Sequence, residues 1–262
     1  MSESMSRSGY EVQKSAINAL FFRELRTRFG KYRLGYLWAV LEPSAHLLLL
    51  LFIFGFIMHR TMPDISFPVF LLNGIIPYFI FSNITQRSIG AIEANKGLFN
   101  YRPVKPIDTI IARAKLETII YSAVYVLLML IVAMTGEIIA VNNLLKLILS
   151  WGLLIIFSCG VGLILMVSGH LLPETQKLFP IILKPLYFIS GIMFPLHSIP
   201  KEYWPYLLWN PILHAVELSR EAVVAGYVSD GVSLEYLAIF TLATLFIGLA
   251  IYRTREEAMM TS

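Results

Sequence analysis

The chain has 262 residues, of which 57% are hydrophobic and 15% charged, and its formal net charge is +4. An ordinary soluble domain is about half apolar with about a quarter of its residues charged, so this balance excludes the soluble class and points to the membrane. The single cysteine, Cys159, excludes an intrachain disulfide and a cysteine-based metal cluster, and the five scattered histidines show no ligand spacing.

The first 34 residues hold no basic start followed by an apolar core and a small-residue cleavage site, so no removable signal peptide is expected there. Ile17, Phe21, Leu25 and Phe29 recur every fourth residue beside Leu20, with Lys14, Arg23, Arg26 and Arg28 mostly on the other side. That pattern predicts an amphipathic helix lying at the membrane interface. Two readings stand for its charges: a plain basic flank, or a gate at an aqueous vestibule formed by Arg23, Arg26, Arg28 and Arg33.

Apolar blocks of about 20 residues, the length that crosses a ~30 Å hydrocarbon core, follow in order. They are Gly35 to Met58, Phe67 to Ile89, Leu116 to Thr135, Leu144 to Leu172, Leu178 to Phe194 and Leu234 to Tyr252. In the first block Glu42 and His46 stand one turn apart, one turn beyond Trp38 and beside Pro43, and are read as a structural hydrogen-bonded pair in preference to a proton site. Between the second and third blocks, the stretch from Glu93 to Pro106 mixes charge, aromatics and two prolines. It predicts a short helix off the membrane in which Leu98, Phe99 and Tyr101 form a docking surface with Glu93, Asn95 and Lys96, or alternatively a loop folded back on the bilayer.

The fifth block is broken by Pro180, Pro185, Gly191 and Pro195 and carries Lys184. A lysine at mid-bilayer costs at least ~2.5 kcal/mol on insertion scales, so Lys184 either faces the interior of the assembly or snorkels to the headgroups. Lys177, Lys184, Tyr187 and Gly191 are expected on one stripe, where cations and an aromatic ring suit an anionic or hydroxyl-rich chain. From Ile199 to Gly226 the sequence is too polar to cross and too apolar for a free loop. Tyr203, Trp204, Tyr206 and Trp209 predict an interfacial belt, Arg220 an i, i+3 partner for Glu217, and the whole stretch a re-entrant helical hairpin.

Most of the 21 Lys and Arg residues fall before the first block, between the second and third, at Lys177, or at Arg253 and Arg255, which predicts both termini on the cytoplasmic side. The basic balance is thereby assigned to topology and lipid contact, with no nucleic acid needed. The expected organisation is an all-α integral membrane protein with about six transmembrane helices: residues 1–34 a cytoplasmic N-terminus with the interface helix, 35–252 the transmembrane domain, and 253–262 a cytoplasmic tail. No Gly-x4-Gly-Lys-Ser/Thr motif is present, so ATP is not bound here by that route, and no nucleophile elbow or paired-aspartate motif supports an enzyme.

Leu183, Leu186, Ile189-Ser190, Ile192, Ile199-Pro200, Pro211-Ile212-Leu213-His214 and Arg220 resemble the signature of type-2 ABC exporter membrane subunits. Three further blocks, Arg33 to Trp38, Phe99 to Pro106 and Phe194 to Pro200, extend a nearly full-length resemblance to the KpsM-type permeases of group 2 capsular polysaccharide export. The resemblance implies a homodimer with two copies of a separate cytoplasmic ATPase that carries ATP and Mg, leaving no cofactor on this chain. It also implies a periplasmic co-polymerase, an outer-membrane export channel, and an acidic glycan on a lipid end as cargo. By the same resemblance Glu93 to Asn100 is the coupling helix, Arg23 to Arg28 belong to the gate helix, and the first and fifth spans line the polymer path with Trp38, Lys177, Lys184 and Tyr187. Export of another glycan, such as O-antigen or teichoic acid, stays open. So does a membrane enzyme or scaffold of polymer synthesis, for which only Glu93, Asp108 and Glu117 offer cytoplasmic carboxylates.

Overall fold

The computed structural model describes residues 8–30, 33–57, 66–99, 104–137, 139, 141–224 and 226–261. Among the described residues all regular structure is helical. Helix α1 (Gly9–Phe29) starts with a capping box in which the Ser8 side chain accepts from the Glu11 amide and Glu11 returns the bond. A single 3-10 turn, Gly35–Leu37, leads into α2 (Trp38–Leu50), which continues as a wider π turn over Leu51–Ile57. Then come α3 (Phe67–Ile89), α4 (Ala91–Phe99), α5 (Pro106–Met134), α6 (Leu144–Leu171), α7 (Thr175–Ile189), α8 (Pro211–Val223) and α9 (Leu234–Thr261).

Among the described residues five stretches are long and apolar enough to cross a membrane: Gly35–Ile57, α3, α5, α6 and Leu234–Met260. The expected fifth span, Leu178 to Phe194, is the 15-residue α7, which stops at Ser190 because the next residue, Gly191, turns the chain at φ +70°. At 1.5 Å per residue α7 reaches only ~22 Å, short of the hydrocarbon thickness. Two other boundaries also move. The third span was expected from Leu116, yet α5 begins at Pro106, because Asp108, Arg113 and Glu117 are buried and partnered by residues of α1 and α3, and so do not end the helix. Likewise the helix of the last block continues beyond Tyr252 through Arg253 and Glu256, which pair at i, i+3.

The core forms around α3, the most buried of the candidate spans, which packs on α5, α6, α7 and α8. Helices α6 and α9 approach closely through glycine: a Cβ at Gly160 would lie 2.8 Å from the Leu245 amide nitrogen, and one at Gly248 would lie 2.6 Å from the Gly160 carbonyl oxygen. Without small residues the two backbones could not meet at this distance.

Where a re-entrant hairpin was expected, short 3-10 turns at Leu196–Ser198 and Lys201–Tyr206 lead into a single α-helix, α8. Twelve residues of α8 are buried, so Glu217 and Arg220 are core residues. Of the four belt aromatics Tyr203, Tyr206 and Trp209 are exposed, while Trp204 turns inward and donates to the Ile199 carbonyl at 2.9 Å.

Candidate functional site

At one end of the bundle α1, α4, α5 and the C-terminal turns of α3, α6 and α9 converge on a junction of apolar and ionic contacts. Ala91, Ile92 and Phe99 of α4 sit in a cluster with Ile110, Met166, Val167, Tyr252 and Met259. Of the five expected coupling residues among the described ones, Asn95 and Phe99 are buried, Leu98 is half-buried, and Glu93 and Lys96 are exposed. Tyr101 lies outside the described residues. A nine-residue helix with apolar side chains on two faces leaves the inward face undecided until the bundle supplies it.

Helix α1 is tied to α5 along its length. Gln13 donates to Asp108 at 3.1 Å, Lys115 to Asn18 at 3.0 Å, and Arg113 donates twice to Glu24, at 2.9 and 3.1 Å. At the end of α1, Arg28 Nη1 lies 2.5 Å from both oxygens of Glu117, with side-chain exposures of 7% and 1%. Burial opposes the charge on Arg28, and Glu117 more than offsets it, so the guanidinium pKa is raised. Arg87 of α3 reaches the same carboxylate through Nε at 3.4 Å, and Arg113 also donates to the Arg87 carbonyl. Arg23, one face round, donates to the Asn95 side chain and to the Ala94 carbonyl, joining α1 to α4.

Of the four expected gate arginines, therefore, Arg28 and Arg23 act as fasteners while Arg26 and Arg33 are exposed. The same geometry bears on Asp108 and Glu117, weighed above as catalytic carboxylates. Asp108 caps α5 by accepting from the Lys105 amide at 3.0 Å, and Glu117 faces two guanidiniums, so neither is presented to a substrate. Sequence reasoning missed Glu24, Arg87 and Arg113 as site residues. The arginines had been counted only for topology, and the Glu24–Arg113 and Arg28–Glu117 partners stand 89 residues apart in the chain.

The expected stripe on α7 is split. Lys177 and Lys184 are exposed on one face, but Tyr187 is buried and turned into the bundle, where its hydroxyl and His46 Nε2 are 2.6 Å apart and its ring meets Tyr78 edge-on at 5.0 Å. Steps of 100° per residue put Tyr187 about 60° round from Lys184, and Leu183 on the same side draws that face inward. His46 thus bonds α7 and not Glu42, which is exposed; Trp38 is exposed at the start of α2. Tyr78 also donates to the Leu183 carbonyl, fastening α3 to α7.

The signature stretch forms a structural knot at the other end of α3. Arg220, fully buried, donates to the carbonyls of Gly191 (2.7 Å), Ile192 (2.9 Å) and Phe70 (3.3 Å) and to Glu217 (2.9 Å), and its guanidinium lies 3.6 Å from the Phe70 ring centroid. Glu217 further accepts from Tyr227 at 2.6 Å and the Leu196 amide at 3.3 Å. Asn210 caps α8 through the Ile212 amide and donates to Ser190 at 2.9 Å.

Comparison with known proteins agrees with this architecture. Residues 15–224 match the family model described as ABC-2 type transporter. The chain is 76% identical over 258 residues to the polysialic acid transport protein KpsM of Escherichia coli, covering 98% of this chain and 100% of that protein. It is 30% identical to the capsule polysaccharide export inner-membrane protein CtrC of Neisseria meningitidis, over 92% of this chain and 91% of the relative. Against the O-antigen export system permease protein RfbA of Klebsiella pneumoniae it is 21% identical, over 88% of each. A match over most of its length, on a bundle with five membrane-length stretches among the described residues, makes this multi-pass chain a member of the ABC-2 type transporter membrane family.

Proposed function

We propose that this chain is the membrane permease subunit of an ATP-driven exporter that carries acidic capsular polysaccharide, of the polysialic acid kind, across the bacterial inner membrane. The observation that carries the reading is the 76% identity along effectively the whole length of a protein described as a polysialic acid transporter. The capsule export relatives extend it, and the weaker identity to an O-antigen permease makes that cargo the lesser reading.

In this reading ATP and Mg bind a separate cytoplasmic ATPase, two copies of which serve a dimer of this chain, and both termini face the cytoplasm, in keeping with the placement of Lys and Arg. Glu93 and Lys96, exposed on α4, are the contact to the ATPase. Closure of the ATPase moves α4; Arg23 passes the movement to α1, and the α1–α5 ion pairs pass it to the bundle. Trp38, Lys177 and Lys184, exposed on α2 and α7, face the polymer path that the second copy completes, with Tyr187 holding α7 against α2. A periplasmic co-polymerase and an outer-membrane channel receive the polymer beyond it.

The experiment is to locate capsular polymer in a strain lacking this gene, with and without the chain restored. Finished polymer held in the cytoplasm and released to the surface on restoration supports export. Loss of polymer altogether assigns the chain to synthesis instead.

A further inference from the structure

Between the last turn of α1 and the start of α2 lies a cavity of about 550 Å³, lined by Thr27, Arg28, Phe29, Trp38, Glu42 and Arg87 among others. Its two cations are not equivalent. Arg28 is used up by the buried carboxylate of Glu117, which both of its contacts reach at 2.5 Å. Arg87 meets that same carboxylate only through Nε, at 3.4 Å, and keeps 38% of its side chain exposed. One carboxylate therefore serves two guanidiniums, and the second, on the cavity wall, is only partly neutralised. Trp38 and Glu42 stand one turn apart on α2, both exposed, and Glu42 forms no ion pair among the described residues.

We propose that this cavity binds one acidic sugar residue of the exported polymer. Arg87 pairs with the sugar carboxylate, Trp38 lies against the apolar face of the ring, and Glu42 accepts hydrogen bonds from ring hydroxyls. The inference rests on the export reading and narrows it to a residue-level site. Three groups of different chemistry select the ligand. A neutral sugar satisfies Trp38 and Glu42 but leaves Arg87 with its shared partner. A phospholipid phosphate satisfies Arg87 but offers Trp38 no ring to stack on. Only an anionic pyranose engages all three. The position suits an entrance: the same α1 turn that supplies Arg28 to the cavity wall is fastened to α5, and Arg23, one turn earlier, is fastened to α4, so movement of α4 alters the cavity.

The test uses the purified permease–ATPase complex in lipid nanodiscs and a sialic acid tetramer as probe, with a glucose tetramer as neutral control, read by titration calorimetry. Arg87→Ala is expected to weaken binding of the acidic tetramer at least tenfold and Arg87→Lys by a few fold, with the neutral tetramer unaffected by either. Glu42→Gln and Trp38→Ala each weaken the acidic tetramer several fold. Thermal unfolding midpoints keep fold apart from binding, and since Arg28 still neutralises Glu117 when Arg87 is replaced, the midpoint should hold; if Arg87→Ala lowers it, Arg87→Lys decides. Wild-type affinity in both Arg87 variants overturns the proposal. So does binding that follows the phosphatidylglycerol content of the disc and not the glycan, which assigns the cavity to a lipid headgroup. A wild-type complex that exports in cells but does not bind the tetramer also sinks the site while leaving the export reading intact; a strain whose polymer never depends on this chain sinks the export reading itself.

Discussion

The two ends of α3 carry arginine–glutamate pairs of opposite character. At the α8 end, Arg220 and Glu217 belong to one helix, and most of their contacts run to backbone or to each other: three carbonyls and one amide, with the Tyr227 hydroxyl and the Phe70 ring beside them. At the α4 end, Arg28–Glu117 and Arg113–Glu24 each join two different helices, and Arg87 adds a third to the first pair. A pair locked to backbone on all sides fixes a chain path. Pairs between side chains of separate helices can exchange partners when those helices slide. The difference teaches that the signature stretch builds the bundle, and that any movement the bundle makes is to be sought at the charged junction.

The largest effects are expected at the knot. Replacing Arg220 by Ala leaves the Glu217 charge in the core with only Tyr227 and one amide, a loss of about 3–5 kcal/mol. The variant should be scarce in membranes and unfold well below the parent in detergent; normal amounts with an unchanged midpoint would break the contrast. Gly74→Ala probes the same place from α3, since its Cβ would lie 2.8 Å from Arg220 Nη2 and 3.1 Å from the Ile192 Cα. Overpacking of this kind costs about 1–3 kcal/mol, seen as a lowered midpoint.

At the junction the expected loss is smaller, because one of the freed groups, Arg87, can reach water. Glu117→Gln removes the carboxylate between Arg28 and Arg87, and a cost of about 3 kcal/mol, the lower end for a buried pair, follows from the partial exposure of Arg87. Arg23→Ala removes charge-assisted bonds to α4 at an exposed position, worth about 1–2 kcal/mol in stability. Its functional effect should be larger than its structural one: surface polymer falls while the complex still hydrolyses ATP. Parallel loss of export and hydrolysis, or no loss of either, would mean that α1 does not carry the stroke.

How much of this was legible depends on how apolar each element is. Phe67–Ile89 and Leu144–Leu171 are apolar over most of their length, and their expected and observed bounds agree to within a residue. The first third of α5 was invisible because buried Asp108, Arg113 and Glu117 look like loop residues until their partners on α1 are known. The breakers in α7 were visible, but not which would act: Pro180 and Pro185 stay inside the helix and Gly191 turns the chain beyond it. In the candidate site the i, i+3 pair of Glu217 and Arg220 could be read from spacing, since helical neighbours are local. The pairs across the junction could not, because one sequence carries no record of contacts between distant segments.

The smallest effect sharpens the comparison away from both ends. Lys146 of α6 and Glu221 of α8 are 2.5 Å apart and part-exposed, joining separate helices as at the junction but with no buried charge beneath. Burial pushes the Glu221 pKa up, and the bonds from Lys146 and Ser229 outweigh it, so the carboxyl titrates below its usual value. A depressed carboxyl pKa gives stability that is full above the unfolded value and is lost as pH falls through the folded one. The parent should therefore lose a few tenths to about 1 kcal/mol between roughly pH 5 and pH 3 that Glu221→Gln does not lose. Unfolding midpoints of the two proteins across that window decide it. Coinciding curves would show that a surface pair between helices adds nothing here, and that burial of Glu117 is what gives the junction its strength.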